Sequence, residues 1–282
     1  MTTLCIAFLS FSLVCYLVAS LLFQGQLLWD RNRWGLWARR LLIAGVAVNV
    51  AGLLLHALFS GQSPLSHMVL VISLVVIAFL VSGLLLDALT SVRNLNFALA
   101  PIAFLALLYP LLMPVRFESA ESILVQYPWL GVHVLITLLG HVGFAIAFFG
   151  ALAYLLQARN LKHGRLGSFL PALDTIGNLT FHTAGAGFFF FTIGLGMGVL
   201  WLFSAPGEQL GADDLKILLA LPTWLLFAGY LVQRGLRGRQ GTRMKWLVIT
   251  GFVVALVNYL AVRHDFETAS QVGLRSLIGI VG

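Results

Sequence analysis

The sequence predicts an all-α polytopic membrane bundle of about eight transmembrane helices, with both termini on the outer side. Three observations predict it. Hydrophobic residues make up 60% of the chain and charged residues only 10%, which leaves too little charge to cover a water-facing surface. The apolar residues collect into runs close to the ~20 residues that an α-helix needs to cross a hydrocarbon core ~30 Å thick. Bursts of arginine and lysine separate these runs and fall almost wholly in alternate linkers.

The first span, about 4–23, opens almost at Met1 without a basic leading region, and no A-x-A-like site follows it. It is expected to be a retained helix and not a cleaved signal peptide. Cys5 and Cys15 both lie on it, roughly 15 Å apart along a helix, too far for a disulfide. No CxxC occurs, which removes thiol–disulfide exchange and CxxCH haem attachment from consideration. The second span, 41–60, follows Arg31, Arg33, Arg39 and Arg40 and carries His56 a turn or so inside its outer end. The third, 67–89, begins at His67 and holds the one clear intraspan carboxylate, Asp87, near its inner end. The fourth, 96–114, contains Pro101 and Pro110, tolerated in lipid where neighbouring groups re-satisfy the backbone.

The linker Phe117–Pro128 is too short to form a core of its own. The fifth span, 129–157, has His133 at its outer boundary and His141 two turns deeper. The sixth, 178–203, carries four consecutive phenylalanines, Phe188–Phe191. They go all round a helix, so at least half of them must meet lipid or neighbouring helices. Its Gly194-Leu-Gly-Met-Gly198 stretch follows no strand and is not a phosphate loop; Gly194 and Gly198 have the spacing that lets membrane helices approach closely. The seventh and eighth spans are 215–233, with Pro222, and 246–262. Residues 1–262 thus read as a single transmembrane domain, and 263–282 as a short external or interfacial tail.

Charge orients the bundle. The linkers after the first, third, fifth and seventh spans hold 13 of the 17 basic residues, while the opposite side keeps Arg116, Lys216, Arg263 and Arg275. Lysine and arginine accumulate on the cytoplasmic side, so the four basic linkers are cytoplasmic and a bacterial inner membrane is the expected location. The net charge of +7 needs no nucleic-acid partner, because no folded basic module with stacking aromatics is present.

Histidine carries the chemical signal. His67, His133 and His264 fall at the outer boundary with His56 close by, whereas His163 lies in a basic linker and His182 near an inner end. An ionisable side chain inside a bilayer is a functional-site hypothesis by default, and imidazole is both the commonest metal ligand and an axial ligand for haem iron. Zinc is disfavoured, since no HxxxH or HExxH pair occurs. Hydrolytic chemistry finds no motif, and no covalent chemistry is expected of the chain.

Several stretches together resemble the membrane family that includes the cytochrome c assembly protein CcsA and the shorter proteins HemX and YpjD. They are His133-Val134 continuing into Leu138-Leu-Gly-His-Val-Gly-Phe-Ala145; Leu173-Asp174 and Gly177-Asn178-Leu179; Gly185–Gly187 and Thr192-Ile193-Gly194; Asp214 and Lys216; Ala220–Leu231; and Gly251-Phe252 with Tyr259-Leu260. The resemblance is strongest over 132–262 and implies haem handling at the outer face in aid of cytochrome c maturation. The chain departs from the pattern. Ser204–Asp214 contains no tryptophan, Val232 stands in place of an intramembrane histidine, and His264 is only the nearest neighbour of a second external histidine. These losses point to the HemX/YpjD branch.

The resemblance makes His133 the best candidate axial ligand, with His56 or His264 second and Trp201 and Trp224 packing the porphyrin. Haem is the implied cofactor, and cytochrome c maturation proteins the implied partners. The alternative is a HemX-like regulator that contacts a cytoplasmic tetrapyrrole-synthesis enzyme through Arg31–Arg40 and Arg234–Lys245. A small-solute transporter is weaker, for it would show paired acids deep in the spans.

Overall fold

A segment surrounded by lipid must satisfy its backbone internally, and the apolar runs are accordingly helical. The structure, a computed structural model, describes residues 3–29, 32–60, 68–89, 96–112, 128–164, 171–204, 212–238 and 241–261. They form eight α-helices: α1 (Thr3–Trp29), α2 (Asn32–Ser60), α3 (Met68–Leu89), α4 (Asn96–Leu112), α5 (Pro128–Lys162), α6 (Leu173–Ser204), α7 (Ala212–Gly235) and α8 (Thr242–Ala261). Among the described residues, five stretches are long and apolar enough to cross a membrane: Leu4–Gln26, Arg33–Ser60, Val69–Ala88, Gly131–Lys162 and Leu173–Leu200.

Helix α2 begins at Asn32, well before the apolar run at 41. Arg33, Arg39 and Arg40 continue the helix with their side chains exposed. Hydropathy marks the lipid-embedded length, whereas the helix persists until a cap or breaker stops it. Helix α6 likewise starts at Leu173 with Asp174 in its first turn, where a carboxylate complements the positive helix end.

The helices close into two rings. In the first, α1 packs on α2 and α4, and α3 packs on the same two; in the second, α5 packs on α6 and α8, and α7 packs on those two. Contact between α3 and α5 joins the rings. Each encloses its own core. Leu9, Tyr16, Leu42, Leu70, Leu80, Leu99 and Leu107 fill the first, to which Val142 and Ile146 of α5 contribute. Phe144, Phe227, Tyr230 and Val248 fill the second, with Phe144 and Phe227 stacked at a centroid distance of 3.6 Å.

A buried polar triad ties α1, α2 and α3. The Ser73 hydroxyl donates to Asn49 Oδ1, and Asn49 Nδ2 donates to the Tyr16 hydroxyl at 3.2 Å. In an apolar interior each of these groups would be costly alone, and together they are satisfied. Cys5 and Cys15 are free thiols buried in the first ring.

Among the described residues, glycines bring the backbones of α5 and α6 close together. A Cβ built on Gly140 would stand 2.8 Å from the Phe191 backbone nitrogen, and one on Gly143 would stand 2.6 Å from Gly187 Cα. Only glycines allow two backbones this near. Gly194 shares the role, facing Thr137, as its spacing suggests. Gly198 does so less: a Cβ there would meet only the His133 ring, at 3.4 Å.

Candidate functional site

The α5–α6 seam that brings these backbones together also carries the histidines. His133, Thr137 and His141 recur at four-residue intervals, so they share one stripe of α5, and this stripe faces α6. The Thr137 hydroxyl donates to the His133 carbonyl at 2.8 Å, and His141 Nδ1 lies 2.8 Å from the Thr137 carbonyl, to which it donates. The His141 ring meets Phe191 edge-on at 5.5 Å.

His133 has the ligand-like environment. Its ring is within hydrogen-bonding reach of the Gly194 backbone, while its Nδ1 is buried with no hydrogen-bond partner among the described residues. An imidazole that gives one nitrogen to a backbone carbonyl keeps the other lone pair for a metal, the usual arrangement of histidine ligands. Gly198 opposite the ring adds no side chain, and a Cβ there would stand 3.4 Å from His133 Cε1. The edge of His133 is therefore lined by glycine on α6.

The other candidates are distributed differently. His56 is buried in the first ring on α2, where its Nε2 lies 3.4 Å from the Ser60 hydroxyl. Its helix packs on α1 and α3, and that of His133 on α3, α6 and α8. Trp224 is half-buried on α7, its indole nitrogen donating to the Thr192 hydroxyl at 3.1 Å and its ring 5.2 Å from Phe188. Thr192 and Phe188 occupy a flank of α6 other than the one that meets His133, so the indole packs against α6 away from that seam. His264, His67 and the side chain of Trp201 lie outside the described residues, as does the 263–282 tail. His163 is exposed, with Nδ1 2.8 Å from the Arg159 carbonyl. Among the described residues no group of three or more metal-ligating His, Cys, Asp or Glu side chains gathers.

Two features escape a linear reading. Gly140, Gly143 and Gly187 form the seam, and although their stretches carry the family resemblance, only the partner helix reveals their packing role. Lys245, which reads as a loop cation, is buried at 3% exposure. Its Nζ lies 4.6 Å from the Tyr154 ring centroid and 5.9 Å from that of Tyr230.

Residues 50–268 match the family described as Cytochrome C assembly protein. The chain is 30% identical over 225 residues to Cytochrome c biogenesis protein CcsA of Guillardia theta, covering 72% of this chain and 74% of that protein. It is 42% identical over 93 residues to the CcsA proteins of Nostoc punctiforme and Rippkaea orientalis, which covers 33% of this chain and 26% and 27% of theirs. The chain thus spans about a quarter of the length of these cyanobacterial relatives.

Proposed function

The chain belongs to the cytochrome c assembly protein family, a multi-pass membrane protein of cytochrome c biogenesis, and from that premise we propose that it binds haem through His133. The observation that carries the reading is the buried Nδ1 of His133, which has no hydrogen-bond partner among the described residues, beside Gly194 and Gly198 of α6. An apolar surround and a neutral imidazole suit haem iron, which takes nitrogen axial ligands. Bound there, haem would supply an iron centre ready for delivery to an acceptor protein.

The chain's own residues divide the remaining work. The Gly194 backbone fixes the orientation of the His133 ring, and Thr137 anchors the carbonyl of the same residue. His141, held by the Thr137 carbonyl and Phe191, supplies a second imidazole two turns deeper on the same stripe. Helix α6 covers one side of both rings, which are partly buried against it. The outer-face location rests on the asymmetry of basic residues, and the second ligand is drawn from His56, His264 and His141. Delivery of haem to cytochrome c maturation partners follows from the same reading.

The test is haem titration of the full chain in nanodiscs, followed by visible absorbance. Wild-type protein should bind saturably, His133→Ala should shift the spectrum and weaken binding, and His163→Ala should leave both unchanged. Absence of saturable binding by the wild type would overturn the haem reading, and an unaltered His133→Ala spectrum would move the ligand elsewhere.

A further inference from the structure

At the opposite end of the second ring, all four helices converge on Lys245. Tyr154 comes from α5, Gly177 from α6, Tyr230 and Arg234 from α7, and Lys245 from the first turn of α8. A buried ammonium is costly unless an opposite charge or strong hydrogen bonds compensate it. Among the described residues no carboxylate pairs with Lys245; its partners are the faces of Tyr154 and Tyr230. Cation–π contacts are worth about 0.5–2 kcal/mol each, less than the desolvation they accompany.

The surroundings add positive potential where they would be expected to remove it. The α8 amino terminus contributes partial positive charge. Arg234 lies one turn from Tyr230 on α7 and is close enough to act on Lys245 electrostatically; its Nη2 donates to Asn178 Oδ1 at 2.9 Å. The Tyr230 hydroxyl is fully buried, and its oxygen has no hydrogen-bond partner among the described residues. Among the described residues, the Lys245 ammonium and the Tyr230 hydroxyl meet here without a hydrogen-bond acceptor between them, and Arg234, held by Asn178, stands beside them. Lys245 stands just outside the apolar segment that begins at Trp246; burial first, and Arg234 second, hold its ammonium down at about 8.

We propose that Lys245, Arg234 and the Tyr230 hydroxyl form an oxyanion-binding site at the basic end of the second ring, which takes a phosphate or carboxylate group. It is a site separate from His133. Tyr154 and His133 are on the same helix some 30 Å apart, at ~1.5 Å per residue, so one small ligand cannot reach both. Gly177 lines the cage without a side chain: a Cβ there would be in ordinary contact, 3.7 Å from the Tyr154 ring and 3.8 Å from Lys245 Nζ. The proposal does not depend on haem binding at the other end.

The experiment measures melting of the full chain in nanodiscs under three oxyanion sources. Inorganic phosphate is titrated in phosphatidylcholine discs, phosphatidylglycerol replaces phosphatidylcholine in a second series, and haem is compared with haem dimethyl ester in a third. At least one source should raise the melting temperature saturably. Lys245→Met should weaken that response tenfold or more, and Lys245→Arg should retain most of it. Response to phosphate assigns a free anion, response to phosphatidylglycerol alone a lipid headgroup, and response to haem but not its ester a tetrapyrrole carboxylate. In phosphatidylcholine discs without added anion, Lys245→Met should melt no lower than wild type, because it removes an uncompensated charge. Gly177→Val, which keeps every charge but fills the space, should also blunt the response and covers the case in which Lys245→Met fails to fold. Wild type unresponsive to all three sources, or a response undiminished in Lys245→Met, would overturn the site. Haem-ester binding that still depends on His133 would leave the haem reading standing in that event.

Discussion

Replacing Gly143 with alanine should loosen the α5–α6 seam more than any other one-methyl change in the second ring. The added Cβ would stand 2.6 Å from Gly187 Cα, 2.7 Å from Gly187 N and 2.9 Å from the Thr183 carbonyl oxygen. All three are backbone atoms, so no rotamer change relieves them. Ordinary contact begins at 3.4 Å, and the helices must separate by roughly 0.8 Å to reach it. A gap of about 0.5–1 Å forfeits a quarter to a half of each dispersion contact, and neighbours along the whole seam share the loss. Overpacking against fixed backbone costs up to about 3 kcal/mol. Alanine recovers about 1 kcal/mol of helix propensity, leaving a net loss of ~2 kcal/mol and a fall of roughly 4–8 °C in melting temperature for a chain of this size. The assay is thermal unfolding in nanodiscs beside Gly196→Ala, whose added Cβ meets nothing within 4 Å. Equal melting of the two variants would refute the close backbone approach.

Gly194→Leu should destabilise strongly because the side chain runs into Thr137, whereas Gly198→Leu, which meets only the His133 ring, should melt closer to wild type yet perturb haem titration; the reverse order would put the seam out of register. Asn49→Leu strands the Tyr16 and Ser73 hydroxyls and should cost about 1–3 kcal/mol in thermal unfolding; a neutral result would show that the triad is not formed. Cysteines introduced after residues ~90, ~165 and ~240 should all be labelled from the cytoplasmic side, as the basic linkers require; an external signal from any one would invert the assigned orientation.

The eight helices were legible because hydropathy and charge alternation are summed over twenty residues at a time, and no single position decides them. Ends were less legible. Arg33 and Arg39 extend α2 beyond its apolar run, since charge is expelled from lipid but not from a helix. Pairing was not legible at all: Gly140 and Gly187 look alike in sequence to Gly196, which faces open space, and only the neighbouring helix separates them. Of the candidate site, His133 stands out by depth and by the motif that carries the family resemblance, and its Nδ1 has no hydrogen-bond partner among the described residues. His56 reads as a neighbour of His133 by depth, yet depth fixes only one coordinate, and the two rings divide the residues in the membrane plane. Lys245 misled for the opposite reason. A cation in a basic linker is ordinarily solvated, and nothing in its sequence neighbours announces two tyrosine faces from distant helices.

The division into two rings has a consequence for how the protein is made. Helices leave the translocation machinery in order, and the first four contain every member of one buried polar cluster: Asn49, Tyr16 and Ser73 can complete their hydrogen bonds before His133 has been synthesised. The amino-terminal ring can therefore settle as a lipid-facing platform on which α5 lands through Val142 and Ile146. Each ring is built from four of the eight described helices. Either ring can thus diverge, or be held by a different neighbour, while the other keeps most of its own core.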